Sequence, residues 1–189
     1  NFPGNPASVE YRESVYIGYR YYEKANKEVR YPFGFGLSYT TFEYSDLKLS
    51  KKSIDENDVL VATVKVKNTG AVPGYEIVQL YVADKESTIY RPEKELKGFK
   101  KIWLNPDEEK EITFELSKRA FAFYNVNIND WCVESGDFDI LVGASSADIK
   151  LTATVNVTAP AVEIPDYSKV APLYYTGEVQ NVPEDQFVA

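Results

Sequence analysis

The chain has 189 residues, of which 44% are apolar and 26% charged, a composition typical of a soluble globular protein with one good core. A formal net charge of −8 argues against nucleic acid as a partner, because phosphates require a basic surface. No apolar run approaches the length of a membrane span, so no membrane contact is predicted.

Reactive side chains are few. The sequence contains no histidine, which excludes Ser-His, Cys-His and histidine–metal chemistry, and one cysteine, which cannot form a disulfide within the chain. We interpret Cys132, next to Trp131, as a small buried apolar residue. No metal site or cofactor is predicted. There is no methionine and the first residue is Asn1, so we interpret the chain as a fragment or a processed or engineered product, and its localisation stays open.

The head of the chain, residues 1–41, is rich in tyrosine and shows neither a strand period nor a helical period. We interpret it as the last part of a neighbouring α/β domain that leads into an aromatic linker. The linker, Tyr31–Phe42, contains Pro32, Gly34 and Gly36, and these residues favour a rigid, non-helical crossing between two bodies.

Residues 42–158 carry alternating strands. Leu60, Ala62, Val64 and Val66 alternate with polar residues, as do the apolar residues of segments 112–116 and 151–157. Turn signals at 55–58, 68–70, 105–107 and 135–137 separate the segments at the spacing of an all-β fold. We predict a two-sheet, immunoglobulin- or fibronectin-III-like sandwich of about seven or eight strands.

The tail, residues 159–189, contains four prolines and no alternation, which predicts a linker or an extended arm leading towards a further domain. Near its end, Asn181, Pro183, Glu184 and Asp185 are typical of a helix start.

Five segments together resemble the fibronectin-III-like C-terminal module of glycoside hydrolase family 3, the β-glucosidases and their relatives. They are Pro32–Phe42, Val66–Gly70, Gly74–Val82, Arg91–Phe99 and Val142–Ser146, and the resemblance extends over roughly residues 9–157. It implies that the partners are a catalytic barrel and an α/β domain of the same glycosidase. A tail that leaves the sandwich and starts a helix resembles the circularly permuted members, in which the barrel follows this module.

The resemblance implies that this chain holds no catalytic residue. Family barrels carry the nucleophilic aspartate in a Ser-Asp-Trp type of motif, whereas the nearest string here, Asn129–Trp131, lies in the sandwich region. The family's Lys-His motif is absent because the chain has no histidine. Chance pairs among the 29 acidic residues are interpreted as solvated charges.

Two further motifs have ordinary explanations. The run Asp55–Asp58 lacks the spacing of a calcium-binding loop and is interpreted as a polar turn. Asn156–Thr158 is a formal glycosylation sequon, but on a regular strand we interpret it as a coincidence.

Tyrosine and arginine side chains are the candidates for binding. They could form an aromatic platform for sugar rings at the rim of a substrate site, or contact domains that lie outside this chain. We favour the contact with other domains, so we expect Tyr21 and Arg91 to have their partners outside the chain. The candidate residues are Tyr19, Arg20, Tyr21, Tyr22, Tyr90 and Arg91.

These observations support a non-catalytic accessory module of a family 3 glycosidase. A free-standing carbohydrate-binding or adhesive immunoglobulin-like domain is the alternative, although such a domain has no need of the tyrosine-rich head. A hydrolase within this chain is disfavoured by the missing motifs, and the sequence does not indicate a sugar specificity.

Overall fold

Most regular structure lies in strands. The computed structural model describes residues 4–5 and 7–187; the remaining residues of the predicted head and tail, 1–3, 6, 188 and 189, lie outside the described part. In chain order the elements are β1 (Gly4–Asn5), β2 (Ser8–Val9), α1 (Tyr19–Lys24), β3 (Phe42–Leu49), β4 (Ser53–Asp55), β5 (Leu60–Asn68), β6 (Gly74–Asp84), β7 (Glu95–Leu104), β8 (Glu109–Leu116), α2 (Lys118–Phe121), β9 (Phe123–Asn125), β10 (Asp130–Cys132), β11 (Gly136–Gly143), β12 (Ile149–Thr158), α3 (Leu173–Thr176), a 3₁₀ helix (Val179–Asn181) and α4 (Glu184–Phe187).

Eight strands form the two sheets of a sandwich, which confirms the predicted all-β fold. One sheet has the order β4-β12-β11-β6-β7 and the other the order β3-β5-β8. Neighbouring strands are antiparallel except for β12 and β4, which pair in parallel. The pairs β1-β2 and β9-β10 form two further small ladders outside these sheets.

The core lies between the two sheets. In β5 the residues Leu60, Ala62, Val64 and Val66 are buried, as the alternation predicts, and they share the core with Phe138 of β11. Each fully buried aliphatic or aromatic side chain contributes about 1.5–3 kcal/mol through apolar burial. The same alternation keeps the polar residues of β5 on the other, wetter face.

The linker crosses the outer face of the five-stranded sheet and continues to the three-stranded sheet, and one buried polar side chain of each sheet attaches it. The Gln79 amide donates to the carbonyl oxygens of Gly34 at 3.1 Å and Ala144 at 2.6 Å. Further along, the Thr40 hydroxyl donates to the side-chain oxygen of buried Asn68 at 2.6 Å, and Asn68 donates to the Leu104 carbonyl at 3.1 Å. Because these buried polar groups need hydrogen-bond partners, they hold the linker in one position on the sandwich.

Head and tail fold back beside the sandwich. The head contains the short helix α1, which the sequence did not reveal because six residues are too few to show a helical period. The tail begins without helix or strand, and α4 begins just after Pro183, where the start signals lie. A second apolar cluster forms between them, consisting of Tyr16, Ala171, Tyr174, Val179 and Val182.

None of the described helices is long and apolar enough to cross a membrane.

Candidate functional site

Helix α1 presents Tyr19 to the outer face of the five-stranded sheet. The Tyr19 ring stacks on Phe33 of the linker at 4.4 Å and meets Tyr81 of β6 edge-on at 6.3 Å. Its hydroxyl accepts a hydrogen bond from the backbone N–H of Leu96 at 2.9 Å. Tyr19 therefore joins the head, the linker and strands β6 and β7.

The carboxylate of Glu95 lies among three cations. Arg20 is 2.9 Å from it, Lys97 3.1 Å and Arg91 3.9 Å. Burial acts to raise the pKa of Glu95, but the Lys97 ammonium and the two guanidinium groups prevail and lower it. Burial has the opposite effect on Lys97, whose pKa it lowers. Glu95 thus carries its charge as the centre of an ion-pair cluster.

Arg91 is buried at the side of this cluster. Its guanidinium donates to the Asp84 carboxylate at 2.9 Å and to the Phe121 carbonyl at 3.1 Å, and the side chain is only 10% exposed. Burial raises the pKa of Asp84 to about 6, although Arg91 opposes that shift. The expectation that the partners of Arg91 lie outside this chain is therefore corrected: its hydrogen-bonding groups are engaged within the fold.

Tyr90 lies in the middle of an aromatic group that joins head, loop and tail. Its ring stacks on Tyr174 at 4.9 Å and lies 6.1 Å from Tyr16 and 6.0 Å from Tyr167. Its hydroxyl is 3.1 Å from that of Ser14. Tyr90 therefore has aromatic partners within this chain, because the tail folds back over the head.

Tyr21 and Tyr22 of helix α1 have different surroundings. Tyr21 packs against the second apolar cluster and meets Tyr22 edge-on at 5.3 Å. Tyr22 is largely exposed and, with Tyr31 and Phe33, lines an open cleft of about 410 Å³. All six candidate residues lie in the described part of the chain, and of these six only Tyr22 is exposed.

A groove of about 470 Å³ separates the ion-pair cluster from the β9-β10 hairpin. One wall is Trp131, on which the Arg119 guanidinium stacks 3.1 Å from the ring centre, with Tyr124 edge-on beside it at 5.5 Å. The Arg119 guanidinium therefore covers one face of the Trp131 ring and keeps a sugar from stacking on that face. The preceding residue, Asp130, is exposed in the hairpin, so the string Asn129–Trp131 does not form an enclosed nucleophile site.

The remaining motifs have structural roles. Asp55 accepts hydrogen bonds from Asn57 at 3.1 Å, as in a polar turn, and no group of three potential metal ligands occurs within the described residues. Cys132 is buried, which raises the pKa of its thiol. The exposed Asn156 amide donates to Asp137 at 2.8 Å.

Sequence reasoning missed Asp84, Glu95, Lys97 and Tyr174. Glu95 and Lys97 lie within the Arg91–Phe99 segment that carried part of the resemblance, so a signal for them existed. No local pattern indicates the partner of Tyr174, because it comes from the opposite end of the chain.

Comparison with known proteins gives consistent results. Residues 76–146 match the family model of the fibronectin type III-like domain. The chain is 57% identical over 159 residues to thermostable β-glucosidase B of Acetivibrio thermocellus, covering 84% of this chain and 21% of that protein. It is 45% identical to an exo-α-(1→6)-L-arabinopyranosidase of Bifidobacterium breve, covering 82% of this chain and 20% of that protein.

Among solved structures, the GH3 β-glucosidase of Bifidobacterium adolescentis is similar with a TM-score of 0.78 and 40% identity, covering 94% of this chain and 27% of that chain. The chain spans about a fifth of the length of the curated relatives it matches. The resemblance drawn from the five sequence segments is thereby confirmed. Residues 76–146 therefore form a fibronectin type III-like domain, and the chain resembles the corresponding part of the glycoside hydrolase family 3 β-glucosidases.

Proposed function

We propose that the chain is a non-catalytic accessory module that stabilises a family 3 glycosidase of the β-glucosidase type, which hydrolyses terminal β-linked sugars. The observation that carries this proposal is the match to about a fifth of a β-glucosidase by a chain that lacks the family's catalytic motifs. The partners are then the catalytic barrel and the α/β domain of the same polypeptide.

The internal ion pairs support a non-catalytic role. Glycoside hydrolysis generally requires two carboxyl groups beside an open substrate position, one of them able to donate a proton. Glu95, which lines the groove, and the nearby buried Asp84 both pair with Arg91 inside the fold. Each of these carboxyl groups is held by a cation of the fold, and neither is free to act on a bound sugar.

For the organisation of the chain, we propose residues 42–158 as the module itself and residues 1–41 and 159–189 as its connections to other domains. The matched fibronectin type III-like domain lies inside the first range. The second apolar cluster holds both connections against the sandwich, so they leave it in defined directions.

The test uses the complete gene from which this chain is encoded. We expect sequence for a barrel and an α/β domain next to it, aryl-β-glucosidase activity in the complete protein and none in the 189-residue chain. Deleting the module should shorten the half-life of activity on heating. Turnover by the isolated chain that survives repurification and scales with its concentration would contradict the proposal.

One observation favours the alternative of a carbohydrate-binding domain. The cleft lined by Tyr22, Tyr31 and Phe33 is apolar and open, as a sugar-stacking site requires. Calorimetry of the isolated chain with cellobiose decides the matter. Binding that Tyr22→Ala abolishes and Tyr11→Ala retains would favour carbohydrate recognition, whereas no heat of binding leaves the accessory role.

A further inference from the structure

The outer face of the five-stranded sheet carries a patch of exposed apolar side chains next to the linker. Leu37 is 91% exposed, Phe99 66% and Tyr75 55%. Apolar surface of this extent is uncommon on a monomer unless it is an interaction site. We call the patch the apolar outer face; it consists of Leu37, Tyr39, Tyr75, Ile77, Phe99 and Trp103.

Strand pairing places the sheet residues of this face together. Tyr75 lies opposite Trp103 in the register of β6 and β7, and Gln79 lies opposite Phe99. Residues two apart in a strand point to the same side, so Tyr75, Ile77 and Gln79 share one face with their partners. Gln79 is covered by the linker, which shows that this is the outer face and not the core.

The linker, which carries Leu37 and Tyr39, runs beside the part of β6 that β11 leaves unpaired. Strand β11 ends opposite Gln79, and the linker continues along β6 from there to Gly74. A Cβ atom on Gly74 would lie 3.2 Å from the Ser38 hydroxyl and 2.8 Å from the Thr40 methyl. The neighbouring side chains, Leu37 and Tyr39, are almost fully exposed there.

The geometry of the rings argues against a sugar platform. Stacked sugars need coplanar, open aromatic faces, but Tyr75 and Trp103 meet at 66° with their centroids 4.7 Å apart. The Lys101 ammonium lies 4.4 Å above the Tyr75 ring and covers one of its faces. Interdigitating protein side chains suit such a surface better than a flat glycan does.

Charge distinguishes between two kinds of protein partner. Lys101 forms no ion pair with any of the described residues. A second copy docked face to face would bring two Lys101 ammonium groups together near the symmetry axis, which is unfavourable. A different protein surface can instead provide a carboxylate opposite Lys101.

We propose that the apolar outer face is the surface on which the catalytic part of the same glycosidase polypeptide packs. This inference rests on the proposed function, and the length of the relatives supplies the occupant: four-fifths of thermostable β-glucosidase B lies outside the region that this chain matches. Phe99 and Trp103 then act as buried apolar contacts, with Lys101 paired to an acidic residue of the catalytic part.

Hydroxyl-radical footprinting of the 189-residue chain and of the complete protein tests the proposal directly. We expect the oxidation rates of Tyr75, Phe99 and Trp103 to fall roughly tenfold in the complete, monomeric protein, because a docked interface excludes solvent. Val59, which is 50% exposed and lies beside the other sheet of the sandwich, serves as the reference residue within each sample. Equal oxidation of Tyr75, Phe99 and Trp103 in both samples overturns the proposal.

A pair of variants adds a functional measurement. Phe99→Glu should leave the melting temperature of the 189-residue chain unchanged and shorten the heat-inactivation half-life of the complete protein by about tenfold. Val59→Glu, which places the same charge on an exposed apolar residue immediately before β5, should change neither quantity. Equal half-lives for the two variants would contradict the docking surface.

Other outcomes assign the face differently. Protection that appears only as the protein concentration rises, together with a dimer in light scattering, makes a second copy the occupant and overturns the proposal. If the chain is retained on insoluble β-glucan and the Phe99→Glu variant is not, the occupant is a glycan and the proposal is overturned. A complete protein without glycosidase activity overturns the proposed function and this inference together, whereas an active enzyme with an unprotected face overturns this inference alone.

Discussion

The Tyr16 hydroxyl donates a hydrogen bond to the backbone carbonyl of Tyr174 at 2.6 Å, and the Tyr174 hydroxyl donates to the Arg12 carbonyl at 2.9 Å. These reciprocal bonds connect the head of the chain to its tail. The Tyr174 ring also stacks on Tyr90, so the loop between β6 and β7 joins the same group. A small second core therefore lies beside the sandwich and is built from three distant segments.

The second core should contribute to stability through Tyr16. Tyr16→Phe keeps the ring and removes one buried hydrogen bond, so we expect a loss of about 1 kcal/mol in the free energy of unfolding. Tyr16→Ala also leaves a cavity, and the loss should rise to about 3–5 kcal/mol. Urea titration followed by near-ultraviolet circular dichroism measures both.

Tyr11→Phe is the control, since Tyr11 is 73% exposed and should give almost no change. If Tyr16→Ala behaves like Tyr11→Phe, head and tail do not pack together in solution.

Arg91 should be far more important for stability than the sequence suggested. Arg91→Ala leaves the buried Asp84 carboxylate without its cation, and breaking a buried pair in this way costs about 3–5 kcal/mol. Arg20→Ala, which removes a more exposed partner of Glu95, should cost about 1 kcal/mol or less. A denaturant titration compares the two, and equal losses would show that Arg91 is solvated.

The Glu95 cluster predicts a pH dependence. Its surrounding cations hold the pKa of Glu95 below the ordinary value of 4.5, so its stabilising effect is present above that pH and is lost as the pH falls through the lowered pKa. Wild type should therefore be more stable than Glu95→Gln at pH 7. The difference should shrink below about pH 4.5, because a protonated glutamate resembles glutamine.

Thermal unfolding of both proteins between pH 7 and pH 3 measures this difference. A gap that stays constant over the whole range would mean that Glu95 does not act through its charge.

Gly34 should tolerate no side chain. Its φ of +79° disfavours other residues, and a Cβ atom there would overlap the Gln79 side chain that attaches the linker. We expect Gly34→Ala to cost about 1–2 kcal/mol from the backbone alone, with the steric overlap adding to it. Gly36→Ala is the matched control, since Gly36 lies two residues away with a negative or extended φ and open space around it.

Melting temperatures of the two glycine variants provide the comparison. Similar values would indicate that the linker does not lie on the sheet as described.

The register of the sandwich can be tested in β8. Phe114 is buried between the sheets, and Phe114→Ala should cost about 3–5 kcal/mol through lost burial and the cavity left behind. Thr113→Ala, on the opposite face of the same strand, should cost well under that. Denaturant titration that gave the same loss for both would require a different register.

The sequence alone determined the sandwich. Strand residues such as Leu60 and Val64 alternate with polar neighbours. This period of two follows from strand geometry, so the sequence of each strand indicates which face is buried. Turn residues such as Asn68 mark where the strands end. The predicted segment 95–104 agrees with β7 because both rules act locally.

The tertiary structure decided the rest. Tyr16 and Tyr174 are separated by 158 positions, so no local sequence pattern can predict the hydrogen bond between them. Arg91 looked like a surface contact because its partner Asp84 becomes buried only when β6 and the following loop pack together. Periodicity depends on neighbouring residues, whereas the pairing of buried polar groups depends on how distant segments come together. Only the folded chain therefore shows which tyrosines and charged residues have partners within it and which remain exposed.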